Sequence, residues 1–547
     1  MQIINRLRLP SRSVLPGVAI ALALAAAASF IYWRLRDLDL VIAGGLVVDG
    51  TGASPFRADV AVRGGKIAGI SRWLYRLAPA RTRINAHGKV VAPGFIDVHA
   101  HIEANLPQSG EFRPANFLKQ GVTTMVTGNC GRSRTDVAAM LSALEKHGTY
   151  INVATLIGHN SVRRQVMGQE ARAASPNELQ RMKQVVARGM EEGAFGFSTG
   201  LAYTPGRFAT LDELTALARV AAERGGIYAS HIRNEASGGE EAIREALAVG
   251  KQSGAVVQIS HLKCSGQGQW GSMSRRLNLL DEARASGLRV FTDAYPYERS
   301  STTTDILLPD WAVANKRAGV KLAAGNQAAR QRLRQDILNK LRADGWQELR
   351  HVRLVAGRPE WIGRTLAEVP VPAGTLDGQI ENLIEVSLRG GAQAIYADMN
   401  EADVAEALSN PFCVFGSDSA VRDPEGDYKP HPRGSGTFPR IFKLYVRETG
   451  KLELSQAVHK ASGLPAAILG LEGRGFLSTG AWADIVIFDL SAIEDRSDYD
   501  QPFAEPVGIE YVIVNGSVAV DHGMLADNPP TGAALRPATK NSAKMAE

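Results

Sequence analysis

The chain has 547 residues, 45% of them hydrophobic and 22% charged, with a formal net charge of +6. This is ordinary globular composition on more residues than one compact core needs, so a wholly disordered chain is excluded. No basic run is interleaved with aromatic residues, which removes nucleic acid as a partner. Three cysteines, Cys130, Cys264 and Cys413, are too few for a disulfide framework; free thiols or a metal ligand fit them better than a single bridge.

In chain order, the first feature is the uncharged, mostly apolar stretch 14–33, flanked by arginines and ending in Tyr32 and Trp33. About 20 apolar residues cross a hydrocarbon core as a helix, and aromatic residues suit its interfaces. Residues 1–37 are therefore expected to be a transmembrane anchor, with the membrane as a partner and the bulk of the chain outside the cytoplasm (periplasmic in a bacterium). The alternative is a signal segment cleaved near the small residues 25–28, which would secrete the rest.

Next come β-rich runs. Those at 39–49 flank Gly44-Gly45, and those at 59–70 flank Gly64-Gly65; both read as hairpins. Similar runs recur at 483–489 and 510–516. Short strands at both ends predict a small β-sandwich domain built from 38–90 and 479–526. Between them strands and helices alternate. Apolar strands are expected at 94–101, 123–127, 153–158, 194–199, 227–231, 256–261, 289–295 and 413–418. Helical stripes lie between them, as at 177–192, where Ser175 and Pro176 supply a helix start. Eight such units over 91–478 predict an α/β fold, a (β/α)8 TIM barrel, with a doubly wound open sheet as the alternative. One long gap, 302–411, predicts an inserted subdomain before the last barrel strand. The Ala-, Pro- and Lys-rich stretch 527–547 reads as a disordered tail.

The chemistry starts at Asp97-Val-His99-Ala-His101. Alternate residues of an extended strand share a face, so His99 and His101 can bind one metal ion together. The pattern alone is weak, because two strand-end histidines also arise without a metal. Its context strengthens it: Cys130, His231, His261 and Asp418 follow or end four other strands, at the rim where barrel active sites lie. His159 adds another histidine after the third strand. Zinc accepts nitrogen, sulfur and carboxylate donors and acidifies a bound water. Asp418 is the expected proton carrier, from water to a leaving amine. Cys264 and Cys413 match no strand end and read as packing residues.

These motifs resemble the amidohydrolase superfamily and, within it, the D-aminoacylase / N-acyl-D-amino-acid deacylase family. The matching segments run from Ala92-Pro-Gly-Phe-Ile-Asp-Val-His-Ala-His101 through Gly128-Asn-Cys-Gly131, Gly196-Phe-Ser-Thr-Gly-Leu-Ala-Tyr203, Ser230-His-Ile-Arg-Asn-Glu235, Ser260-His-Leu-Lys-Cys264 and Asp293-Ala-Tyr-Pro-Tyr297 to Gly416-Ser-Asp418 and His431-Pro-Arg433-Gly. They span roughly 38–525. The resemblance implies a zinc-dependent hydrolase that releases a D-amino acid and a carboxylate from an N-acyl-D-amino acid. It implies Cys130, His231 and His261 as the tight zinc site, His99 and His101 as a second, weaker one, and Asp418 as acid/base. Lys263, Tyr297 and Arg433 would handle the substrate carboxylate, and Tyr203 would line the pocket. Another amidohydrolase reaction, on a D-dipeptide, cyclic amide or lactone, is the alternative. The fourth strand carries no lysine to be carboxylated, which argues against a hydantoinase-type site.

Overall fold

The computed structural model describes residues 35–106 and 110–538, together with Ala19, Ile20, Leu22, Ala23 and Ala26. Eight parallel strands form the ring. They are Phe95–Asp97, Val122–Thr127, Asn152–Thr155 continued by Ile157–Gly158, Gly196–Gly200, Ile227–His231, Val257–Ile259, Val290–Ala294 and Cys413–Phe415. They pair in sequence order. The ring closes where Asp418 N donates to His99 O at 2.8 Å and His101 N donates to Ser419 O at 2.8 Å. This is a TIM-barrel-type fold, and the open-sheet alternative falls with the closure.

The helices form where the sequence gives both stripe and cap. Pro176–Glu191 begins at Ser175, whose hydroxyl accepts from Glu178 N while the Glu178 side chain accepts from Ser175 N, a reciprocal cap that satisfies two otherwise orphaned donors. Its buried residues, Met182, Val186, Gly189 and Met190, lie on one stripe.

The strands at the two chain ends join in one nine-stranded sheet. Phe56–Arg63 and Lys66–Ser71 form a hairpin around Gly64-Gly65. The other expected hairpin is absent, because Leu38–Val47 runs as one strand through Gly44-Gly45, where the register against Phe56–Arg63 shifts. These glycines serve a bulge. A Cβ on Gly44 would stand 2.3 Å from the His87 ring, and one on Gly45 would stand 2.3 Å from Val91.

Ser300–Thr303, Gln393–Tyr396 and Val352–Ala356 form a separate antiparallel sheet over the barrel mouth. Helices Gln327–Ala343 and Leu376–Leu388 share a core with it through Leu333, Ile337, Leu383 and Ile384. Helix Glu401–Ser409 packs instead on the last barrel strand.

Two expectations need correction. The reading of 527–547 as a disordered tail is wrong up to residue 538. Val153 N donates to Ala533 O and Leu535 N to Val153 O, both at 2.8 Å, so this stretch pairs with the edge of the third barrel strand; composition cannot reveal such a tertiary partner. The transmembrane anchor and the membrane-anchored location are also overturned, since no described helix is long and apolar enough to cross a membrane. Apart from five alanine, isoleucine and leucine positions, the stretch 14–33 lies outside the described residues. An uncharged run of that length meets the thickness criterion by composition alone.

Candidate metal centre and active site

The C-terminal ends of the strands converge on one cluster. Ile227 and Ala229 face the barrel core, and the two-residue period of the strand puts His231 on that interior face at the rim. Cys130, His261 and Asp418 each follow a strand with left-handed backbone, φ 50°, 38° and 49°. Non-glycine residues rarely occupy this region, and it persists where the surroundings over-determine it, typically at functional sites. Gly128, before Cys130, has φ 81°, and a Cβ there would meet Leu156 O at 2.1 Å. The turn that presents the thiol thus requires glycine.

Two groups of donors share the thiol: His99, His101, Cys130 and Asp418, and Cys130, His231 and His261, with donor atoms within 4.8 Å of one another in each. Cys130 Sγ lies 3.2 Å from His99 Nε2, 3.6 Å from His231 Nδ1 and 3.5 Å from His261 Nε2. His231 Nδ1 and His261 Nε2 are 2.8 Å apart. Two ring nitrogens at that distance need a proton or a cation between them. The far nitrogens of His99 and His261 are engaged elsewhere: His99 Nδ1 with Asp293 at 3.2 Å, His261 Nδ1 with Glu235 at 2.9 Å and Lys263 at 2.7 Å. Outer partners of this kind fix the tautomer and orientation of metal-binding imidazoles. One thiolate with two imidazoles, and a carboxylate beside two more, is a donor set that suits zinc.

Charge in the cluster is mutually supported. Burial disfavours the thiolate of Cys130, but His99, His231 and His261 outweigh it and hold the thiol well below its usual range. Burial works the same way on Asp418, and Arg433 and His99 hold its carboxyl well below the usual range. His101 is disfavoured as a cation by burial, yet Asp418 and Cys130 push it up to about 9. Asp418 is gripped from both sides, 3.0 Å from His101 Nε2 and 2.9 Å from Arg433 Nη1.

Of the expected site residues, all five expected metal donors and Asp418 come together. Lys263 Nζ reaches this cluster too, but it is paired with Glu235 at 2.6 Å. Tyr203 lines the cavity beside His231, ring centroids 4.6 Å apart, and its Oη bonds Thr302 of the inserted sheet at 2.8 Å. Tyr297 stands apart from the cavity. Its ring packs on His431 and Tyr499, with Arg440 4.9 Å away on its face. The strand ends at Ala294 and the chain turns, Tyr297 N donating to Tyr295 O at 3.0 Å, so alternation no longer holds. Tyr295 lines the cavity instead, with the Arg433 guanidinium 4.6 Å from its ring centroid. His159 is likewise elsewhere: it opens helix His159–Met167 and pairs with Glu213 at 2.8 Å. Cys264 and Cys413 are free and buried.

Asp293 and Glu235 escaped the sequence reading. Both stood within quoted motifs, but their role as partners of His99 and His261 depends on contacts between strands.

The sequence pattern of the Amidohydrolase family matches residues 82–520. An N-acyl-D-glutamate deacylase of Alcaligenes xylosoxydans xylosoxydans is 38% identical over 505 residues, which cover 88% of this chain and 93% of the relative. A D-aminoacylase of the same organism is 34% identical over 514 residues, 88% and 94% of the two chains. The solved structure of an N-acyl-D-glutamate deacylase from Bordetella bronchiseptica, complexed with zinc and a phosphonate that mimics the tetrahedral intermediate, has a TM-score of 0.76 at 36% identity and covers 92% of this chain and 100% of its own. With its closed barrel and shared-thiol cluster, the present chain belongs to the amidohydrolase family, in its D-aminoacylase / N-acyl-D-amino-acid deacylase branch.

Proposed function

We propose that the protein hydrolyses the amide bond of N-acyl-D-amino acids with bound zinc, releasing a D-amino acid and a carboxylate. The observation that carries this reading is the Cys130–His231–His261 cluster at the barrel mouth, its donors within 3.6 Å of one another, with Asp418 alongside. The related N-acyl-D-glutamate deacylase and D-aminoacylase support it.

Cys130, His231 and His261 would hold the tight zinc. His99 and His101, with Cys130 and Asp418, would form a second, weaker site. Zinc held there supplies Lewis-acid polarisation of the carbonyl and an acidified water. Asp418, ionised and fixed by Arg433 and His101, takes the proton of the attacking water and returns it to the leaving nitrogen. Lys263 and Arg433 draw the α-carboxylate to the cavity wall beside Tyr295, and Tyr203 bounds the space over His231. In this reading 91–478 is the hydrolase barrel, 38–90 with 479–526 is a second, β domain, and the insertion lies within 302–411, roofing the site.

The test is zinc analysis of purified protein alongside amine release from matched N-acetyl-D- and N-acetyl-L-amino acids. Zinc-dependent release from the D series alone is expected. Equal release from both series, or activity that survives complete zinc removal, would overturn the reading.

A further inference from the structure

Two cavity lobes meet at Tyr203, Ser301, Thr302 and Asp418, which line both. Their charges differ in one respect. Every cation of the first lobe has an acid partner: Lys263 with Glu235 at 2.6 Å, Arg207 with Asp310 at 3.3 Å, Arg233 with Glu245 at 2.8 Å and Lys340 with Asp344 at 3.7 Å. Leu307, Trp346 and His351 also line it. The second lobe is lined by Arg132, Arg164, Arg422 and Arg433. Arg433 has Asp418, but Arg132, Arg164 and Arg422 form no ion pair with any described carboxylate. Glu103 also lines this lobe, with its Oε1 accepting from Gly128 N at 2.6 Å and from the Thr127 hydroxyl.

Arg422 is the sharpest case. It is partly buried, its Nε has no hydrogen-bond partner, and a Cβ on Gly434 would meet that Nε at 2.8 Å. Burial and the neighbouring Arg433 cation push its guanidinium down to about 10. A buried donor left unpaired is costly, and a carboxylate beside it would satisfy both the charge and the N–H groups. Arg132 stands across the lobe with its guanidinium 5.6 Å from the Tyr203 ring centroid, facing the shared waist.

We infer that the second lobe is a subsite for a carboxylate carried on the acyl group, so that the preferred substrates are D-amino acids acylated by a dicarboxylic acid, with Arg422 as the main recognition group. The inference rests on the proposed reaction, in which Lys263 and Arg433 draw the α-carboxylate to the wall beside Tyr295, which lines the first lobe, and the acyl chain therefore runs into the second. Chemically the step is unchanged: water adds to the amide carbonyl, the C–N bond breaks, the nitrogen takes a proton, and a dicarboxylate leaves with the free D-amino acid. Because every lysine and arginine of the first lobe is already paired with an acid, the second acid is assigned to the acyl group rather than to the amino-acid side chain.

Kinetics of the zinc-loaded enzyme with N-succinyl-D-leucine and with N-butanoyl-D-leucine, whose acyl chain is equally long but uncharged, test this. The succinyl compound is expected to have the higher kcat/KM by about tenfold, carried by KM, as one charge-assisted hydrogen-bonded pair would give. Arg422→Met should remove that advantage while leaving butanoyl turnover within about twofold, and Arg422→Lys should keep part of it. Equal wild-type kcat/KM for the two, or equal loss for both in Arg422→Met, would overturn the inference. So would an Arg422→Met effect confined to N-acetyl-D-glutamate, which would put the second acid on the side chain. If no N-acyl-D-amino acid is turned over, the reading of the reaction fails, and calorimetry with succinate alone then judges the lobe: binding lost in Arg422→Met keeps the subsite, and no binding to wild type removes it.

Discussion

His99 Nε2 lies 3.2 Å from Cys130 Sγ, so a single thiol serves both donor groups at the barrel mouth. Removing it disarms both at once. Cys130→Ala is expected to lower zinc affinity by more than about 100-fold, since even changes to outer partners of a metal site cost 10–100-fold. Hydrolysis should fall with metal content while far-ultraviolet circular dichroism stays native. Metal analysis after dialysis against a weak chelator checks this, and full zinc occupancy in the variant would remove Cys130 from the ligand set.

Asp418 is held low by Arg433 and His99, which suits a base that must be ionised before water is attacked. Asp418→Asn keeps the shape and loses the proton carrier. A fall in kcat of about 10²- to 10⁴-fold is expected, with the tight zinc retained, because that site has its own three donors. Turnover within a few-fold of wild type would assign the proton transfer to another group.

The barrel was legible because its signals are local. Period-two strands such as Ile227–His231 end in residues that the same alternation places on the interior face, and Ser175 marks its helix by a cap that spans three residues. What escaped depends on distant partners. Gly44-Gly45 looks like a turn until Val91 and His87 close against it. The tail looks unstructured until Val153 pairs with it. Asp293 and Glu235 gain their roles by reaching His99 and His261 from other strands.

The chain turn after Ala294 exchanges the expected roles of two tyrosines. Tyr295 faces the cavity under Arg433, whereas Tyr297 packs on His431 and Tyr499. Tyr295→Phe is therefore expected to raise KM for an N-acyl-D-amino acid by about 3- to 10-fold, the range of one hydrogen bond. Tyr297→Phe should leave KM unchanged, because its hydroxyl is buried away from the cavity that Tyr295 lines. Steady-state kinetics of the two variants side by side decide the matter, and the reverse pattern would restore Tyr297 to the substrate.

His351 stacks on Trp346, ring centroids 3.6 Å apart and planes 10° from parallel. Its Nδ1 is buried without a partner, and burial lowers its pKa to about 4. In the unfolded chain the same ring titrates near about 6.5. Between those two values the unfolded chain binds the additional proton, so stability rises with pH across that window. The contribution is complete above pH 6.5 and is lost as pH falls toward 4. His351→Phe keeps the ring on Trp346 and removes the titration. Urea denaturation of the two proteins at pH 7 and pH 4.5 is expected to show wild type losing more stability on acidification, by on the order of 1–2 kcal/mol. Identical losses would mean that the His351 ring takes up its proton in the folded insertion as readily as in the unfolded chain, and that the stack on Trp346 does not exclude charge.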